Sequence, residues 1–112
     1  MATVAPIIER LPVEAREDVL AAMRVLGEFA GVRRVWLFGS LAKGRRPDFR
    51  SDLDLAVEGL SPMEELRVWA ALDAATRLTP DLVRWETANP VLRSEIERWG
   101  ILLRDKDHEP PS

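Results

Sequence analysis

The sequence predicts a single α/β (α+β) domain: a small mixed β-sheet of three to four strands flanked by helices. Three observations carry this. Stretches with a helical apolar period alternate with short β-rich runs along the chain. Two of the helical stretches open with a cap residue followed by proline, the grammar of a helix start. The length, 112 residues, suits one core and leaves little for a second. With 46% hydrophobic and 31% charged residues, the composition is that of a folded globule rather than a disordered chain.

The elements follow in order. Residues 12–30, PVEAREDVLAAMRVLGEFA, read as a helix. Pro12 suits its first turn, and Glu14, Glu17 and Asp18 favour the positive end of the helix dipole. Val19, Leu20, Met23, Leu26 and Phe29 or Ala30 form its apolar stripe, and Gly31 closes it. RRVWLF, 33–38, is a β-rich run stopping at Gly39-Ser40. SLAKG reads as a turn with a short helix, and the loop that follows carries Pro47. DLDLAVE, 52–58, is the second strand, ended by Gly59. In 61–78, Ser61, Pro62 and Glu64 make a capping box at the head of the next helix. PDLVRWE, 80–86, is a third strand, with Pro80 suited to an edge or first strand position. NPVLRSEIERWG, 89–100, is a helix with an Asn cap and a Gly stop, and ILLR a last short strand. The folded domain is expected over 1–105, with 106–112 a disordered polar tail. Strand order is not written in these patterns.

Several classes of function are excluded. Without cysteine there are no disulfides, thiol nucleophiles or cysteine metal sites. The apolar runs fall short of the ~20 residues that cross a bilayer. The N-terminus lacks the basic-then-apolar pattern of a secretory signal, so a cytoplasmic location is expected. A net charge of −3 argues against broad nucleic-acid binding. A basic cluster at Lys43, Arg45, Arg46 and Arg50 is nevertheless present.

The chemistry concentrates in LFGSLAKGRRPDFRSDLDLAV, 37–57. In a strand, Asp52 and Asp54 share a face, their Cα atoms roughly 6.5–7 Å apart, while Leu53, Leu55 and Val57 face the core. Two carboxylates side by side repel, and a divalent cation between them relieves the repulsion. Magnesium takes hard oxygen ligands from one or two carboxylates together with substrate phosphates. Upstream, Gly39 permits close backbone approach to a phosphate, and the Ser40 hydroxyl and amide can donate to it. Lys43, Arg45 and Arg46 are counter-charges for a polyphosphate. Each element alone is commonplace: a turn, a solvated strand edge, a basic surface loop. Their ordered combination is specific, and neither a Walker A lysine pattern nor an EF-hand fits.

That combination, Gly39, Ser40, Ala42-Lys43-Gly44, Ser51, Asp52, Asp54 and Leu55, resembles the minimal nucleotidyltransferases of the DNA polymerase beta-like superfamily. The likeness continues through PDLVRWETANPVLRSEIERWGILLRD and covers roughly residues 12–105. It implies the nucleotidyltransferase fold. It also implies that Asp52 and Asp54 hold metal ions, with Asp81 as third metal-binding and catalytic carboxylate; Glu58 and Glu86 are the substitutes for Asp81. Gly39 and Ser40 would bind the triphosphate of ATP, with two Mg2+ ions assisting in-line attack on the α-phosphorus. The loop before Asp52 is one residue longer than the common family spacing, which leaves the Asp52–Asp54 register untouched.

Minimal members of the family are frequently paired with a helical HEPN toxin and act as its antitoxin by transferring AMP to a tyrosine. The resemblance implies such a partner, in a homo- or hetero-oligomer, and this chain has no tyrosine of its own. The competing readings are a non-catalytic antitoxin acting by occlusion, or a transferase acting on a small molecule or RNA end. Of the tryptophans, Trp36 and Trp69 fall on core-facing periods, while Trp85 or Trp99 is open to a partner surface or a base. His108, in the tail, has no partner to make a metal site.

Overall fold

The structure, a computed structural model, describes residues 9–45 and 52–106. The expectations for Arg46, Pro47, Arg50, Ser51, His108 and most of the tail lie outside the described residues.

Along the chain run α1 (Val13–Leu26), β1 (Arg34–Phe38), the single turn α2 (Gly39–Ala42), β2 (Asp52–Glu58), α3 (Pro62–Ala75), β3 (Thr79–Arg84), α4 (Pro90–Trp99) and β4 (Ile101–Asp105). The four strands form one mixed sheet in the order β3-β2-β1-β4. β1 is antiparallel to both β2 and β4, whereas β2 and β3 are parallel, joined by α3 as crossover. The beginnings of β2, β3 and β4 therefore lie at the same end of the sheet as the end of β1. β3 is an edge strand, the position that Pro80 suits.

Alternation along the strands divides the side chains between two faces. Val35, Leu37, Leu53, Leu55, Val57 and Leu82 point into the main core, which Ala15, Val19, Ala22 and Leu26 of α1 and Val68 and Leu72 of α3 close. On the other face Trp36, Ala56 and Ile96 make a smaller cluster with Phe38, Trp85 and Leu92, covered by α4. Both helix caps read from the sequence are present. Ser61 and Glu64 exchange side chain-to-amide bonds of 3.1 and 3.0 Å, and Asn89 Oδ1 accepts from the Leu92 amide at 2.8 Å.

Three details differ from the sequence expectation. First, α1 stops at Leu26, with Gly27 as C-cap, rather than running to Gly31. The next amides, of Glu28 and Phe29, bond three residues back to Val25 and Leu26 at 3.1 Å each, so the chain tightens before β1. Leu20 falls off the buried stripe and is 40% exposed. Second, Trp69 is not a core residue. The buried stripe of α3 passes through Val68 and Leu72, a quarter turn away, and Trp69 is 36% exposed. Third, β3 ends at Arg84, and Trp85–Thr87 forms a 3-10 turn. The Trp85 carbonyl is taken by the Arg93 guanidinium at 2.7 and 3.0 Å, which removes it from the strand ladder. Among the described residues no helix is long and apolar enough to cross a membrane.

Candidate active site

The register of the sheet builds the acidic site. Asp54 lies opposite Phe38 on β1 and opposite Asp81 on β3, and Asp52 opposite Thr79. Because β2 and β3 are parallel neighbours in register, Asp54 and Asp81 project from the same face side by side. Asp52, two residues before Asp54, shares that face. Each of the three offers a carboxylate oxygen, all within 4.8 Å of one another. Asp52 and Asp81 are exposed and Asp54 is half-buried.

The electrostatics reflect this crowding. The Asp54 carboxyl is pushed up to about 6, first by burial, then by the charges of Asp81 and Asp52 and a hydrogen bond with Asp81. Three acids gathered on one face are unfavourable alone and become favourable around a divalent cation. The donor set is entirely carboxylate oxygen, the hard-ligand chemistry that suits magnesium. Asp52, Asp54 and Asp81 thus fit the metal that the sequence resemblance implies.

Gly39 is placed against this cluster. It leaves β1 with φ +75°, a conformation that side-chain-bearing residues rarely adopt, and a Cβ there would run into the Asp54 carboxylate. Two constraints therefore select glycine at one position. Ser40 follows it in the turn of α2, half-buried, and its carbonyl accepts from the amides of Lys43 at 3.2 Å and Arg45 at 3.1 Å. The first amides of a helical turn have no acceptor within the turn, so the Gly39-Ser40 corner presents donors beside the acids.

The predicted cations do not converge as tightly. Lys43 Nζ stands 3.5 Å from the Glu95 carboxylate of α4, with both side chains exposed. Arg45 is exposed. The two substitutes for Asp81 are engaged elsewhere. Glu58 makes a two-pronged contact with Arg34 at 2.7 and 3.0 Å at the far end of β2, and Glu86 accepts the Gly59 amide at 2.8 Å.

Among the tryptophans, Trp36 is buried, as its period predicts. Trp85 stacks on it with ring centroids 4.5 Å apart, which takes Trp85 out of contention as an open surface. Trp99, 56% exposed, is the open one and lines a cleft of ≈ 480 Å³ with Ala42 and Lys43.

One residue tied to the entry of β3 escapes the sequence reading. Asp18, there only a partner for the helix dipole, is buried to 5% exposure on the inner face of α1. Its carboxylate accepts from the amides of Arg77 and Leu78 just before β3. The signal that could find it is its place in the apolar stripe, on the helix face of Ala15, Val19 and Ala22.

Comparison with known proteins agrees with this geometry. Among solved structures, one described as a minimal nucleotidyltransferase is 31% identical, with a TM-score of 0.62, over 74% of this chain and 89% of its own. A toxin–antitoxin complex with AMP-PNP contains a chain 24% identical, with a TM-score of 0.69, over 77% of this chain and 72% of its own. A complex of the tri-AMPylated Shewanella oneidensis HEPN toxin with its MNT antitoxin matches at 21% identity and a TM-score of 0.60, over 80% and 74%. The last two similarities are of fold. No curated protein matches in sequence. The sequence profile of the polymerase beta nucleotidyltransferases matches residues 23–109, which include both strands of the acidic cluster and the Gly39 turn, and the chain belongs to that family.

Proposed function

We propose that this chain is a Mg2+-dependent enzyme that transfers AMP from ATP to a tyrosine hydroxyl of a partner HEPN toxin, and thereby serves as its antitoxin in the cytoplasm. The observation that carries the reading is the convergence of Asp52, Asp54 and Asp81 beside the Gly39 turn. That juxtaposition supplies cation ligands and phosphate donors to one reacting centre.

In the transfer, the acceptor oxygen bonds to the α-phosphorus and the bond to the bridging oxygen of the β-phosphate breaks, so pyrophosphate leaves. Two Mg2+ ions, held by Asp52 and Asp54 with Asp81 completing the set, would supply charge stabilisation to the attacking and leaving oxygens. Gly39 and Ser40 orient the leaving phosphates, and Asp81 accepts the hydroxyl proton. Lys43 and Arg45 add positive charge at the phosphate end, Lys43 after leaving Glu95.

The related complexes support this reading: one contains AMP-PNP, and in another the HEPN toxin is tri-AMPylated. The chain has no tyrosine, so a tyrosine acceptor belongs to another protein. Incubation with labelled ATP and Mg2+, with and without the co-purifying partner, followed by mass spectrometry of both chains, tests it. The expected result is an AMP adduct on a partner tyrosine. Pyrophosphate release with no label on either protein would sink protein AMPylation. Full neutralisation of the toxin by Asp52→Asn at low dose would replace catalysis with occlusion.

A further inference from the structure

We infer that Asp18 is a positioning residue: by clamping the junction between α3 and β3 it fixes where Asp81 stands in the carboxylate cluster. This rests on the reading of Asp81 as part of the site. β3 is an edge strand paired with β2, and Pro80 has no amide to give to the ladder. The burial of Pro80 and Leu82 fixes which face of β3 is inward. Alternation fixes only that parity. A slip of two residues keeps the same face inward yet carries Asp81 about 6.5 Å along the strand, away from Asp54.

What excludes that slip is the junction. Asp18 Oδ2 accepts from the Leu78 amide at 2.8 Å, and both carboxylate oxygens accept from the Arg77 amide, at 3.1 and 3.2 Å. Beside it the Thr76 hydroxyl bridges the carbonyls of Leu72 and Leu78 at 2.8 and 2.9 Å. Leu78 is thereby tied to α1 and α3, and only Thr79 and Pro80 separate it from Asp81. A buried carboxylate costs desolvation unless its hydrogen bonds are met, and these are met by strand-entry amides rather than by a surface partner. An apolar residue would fill the stripe of α1 equally well and would fix nothing.

The test compares the wild-type chain with Asp18→Asn and Asp81→Asn. In Asp18→Asn the side-chain amide has one accepting oxygen where the carboxylate has two, and it turns an NH2 group toward backbone amides. Calorimetric titration with Mn2+ on protein shown to be folded should give an affinity about 10-fold lower for Asp18→Asn, approaching that of Asp81→Asn. Amide exchange at Arg77 and Leu78 should accelerate. In transfer assays kcat should fall while KM for ATP holds, because the Gly39-Ser40 corner lies in the turn after β1 and not at the α3–β3 junction. If Asp18→Asn does not fold, Asp18→Ser, smaller and still able to accept one amide, is read the same way. A folded variant with a lowered Tm but wild-type Mn2+ affinity overturns the inference, since stability alone has then changed. A wild-type chain that binds Mn2+ but transfers no nucleotide overturns the proposed function, while the Mn2+ comparison still decides the role of Asp18.

Discussion

Asp54 holds a carboxylate where burial and two neighbouring acids oppose its charge, and the consequence is a measurable pH dependence. Its folded value, about 6, lies above the ordinary 3.8. A raised value means that the folded state binds the proton more tightly than the unfolded chain does. The resulting stability is fully present below the ordinary value and is lost as pH rises through about 6. Because the group is only half-buried, solvent screening reduces the effect to on the order of 1 kcal/mol. In chelator, Asp54→Asn should therefore be more stable than wild type at pH 8 by about that amount and close to it at pH 4, by urea denaturation. An equal difference at both pH values would show that charge crowding is not the cause. The acids and the glycine turn are legible in the sequence because their relation is local: Asp52 and Asp54 are two apart on one strand. Asp81 needs the resemblance as well. Asp18 escapes because its partners at 77 and 78 lie far along the chain, and a helix wheel shows only that an acid occupies the buried face.

At the scale of elements, caps decide more than apolar runs. Ser61 and Asn89 announce α3 and α4 because capping is chemistry between near neighbours. The end of α1 is harder to read, since glycines at 27 and 31 can each stop a helix and the apolar period continues past the first. The switch from β3 into a 3-10 turn depends on Arg93 reaching back to the Trp85 carbonyl, a contact no local pattern contains. α4 lies over the Trp36–Trp85 stack and its Asn89 cap fixes where it begins, so the cap acts on the smaller cluster of the sheet. Replacing Asn89 with Ala should cost about 1 kcal/mol. Thermal melts should show it as a fall in Tm of roughly 5 °C. An Asn89→Ser variant, whose hydroxyl can still accept from the Leu92 amide, should lose only a few tenths of that energy. Equal losses for the two would mean that the cap bond is not what holds the helix start.

For the whole molecule, strand order is what brings the site together, and strand order is not in the sequence pattern. Apolar alternation says which face of a strand is inward but not which strand is its neighbour. The parallel pairing of β2 with β3 is a property of the α3 crossover and of the core that both helices close. The cost of the arrangement is an acidic cluster that the fold must hold together while Lys43, the cation of the adjacent turn, stands against Glu95 and Arg34 is held by Glu58 at the far end of β2. A divalent ion held there would be linked to folding of the entire domain, since it would bind the assembled strands and not the unfolded chain. At a concentration about 100-fold above its dissociation constant, Mg2+ should add about 2.7 kcal/mol of stability. For a domain of this size that corresponds to a rise in Tm of roughly 10 °C, reversed by chelator. The rise should be larger at pH 8 than at pH 5, because below about 6 the ion must displace the Asp54 proton. The double variant Asp52→Asn/Asp54→Asn should melt at one temperature with or without Mg2+. A full Mg2+ shift in that variant would move the ion away from this face of the sheet, and with it the site that the strand order assembles.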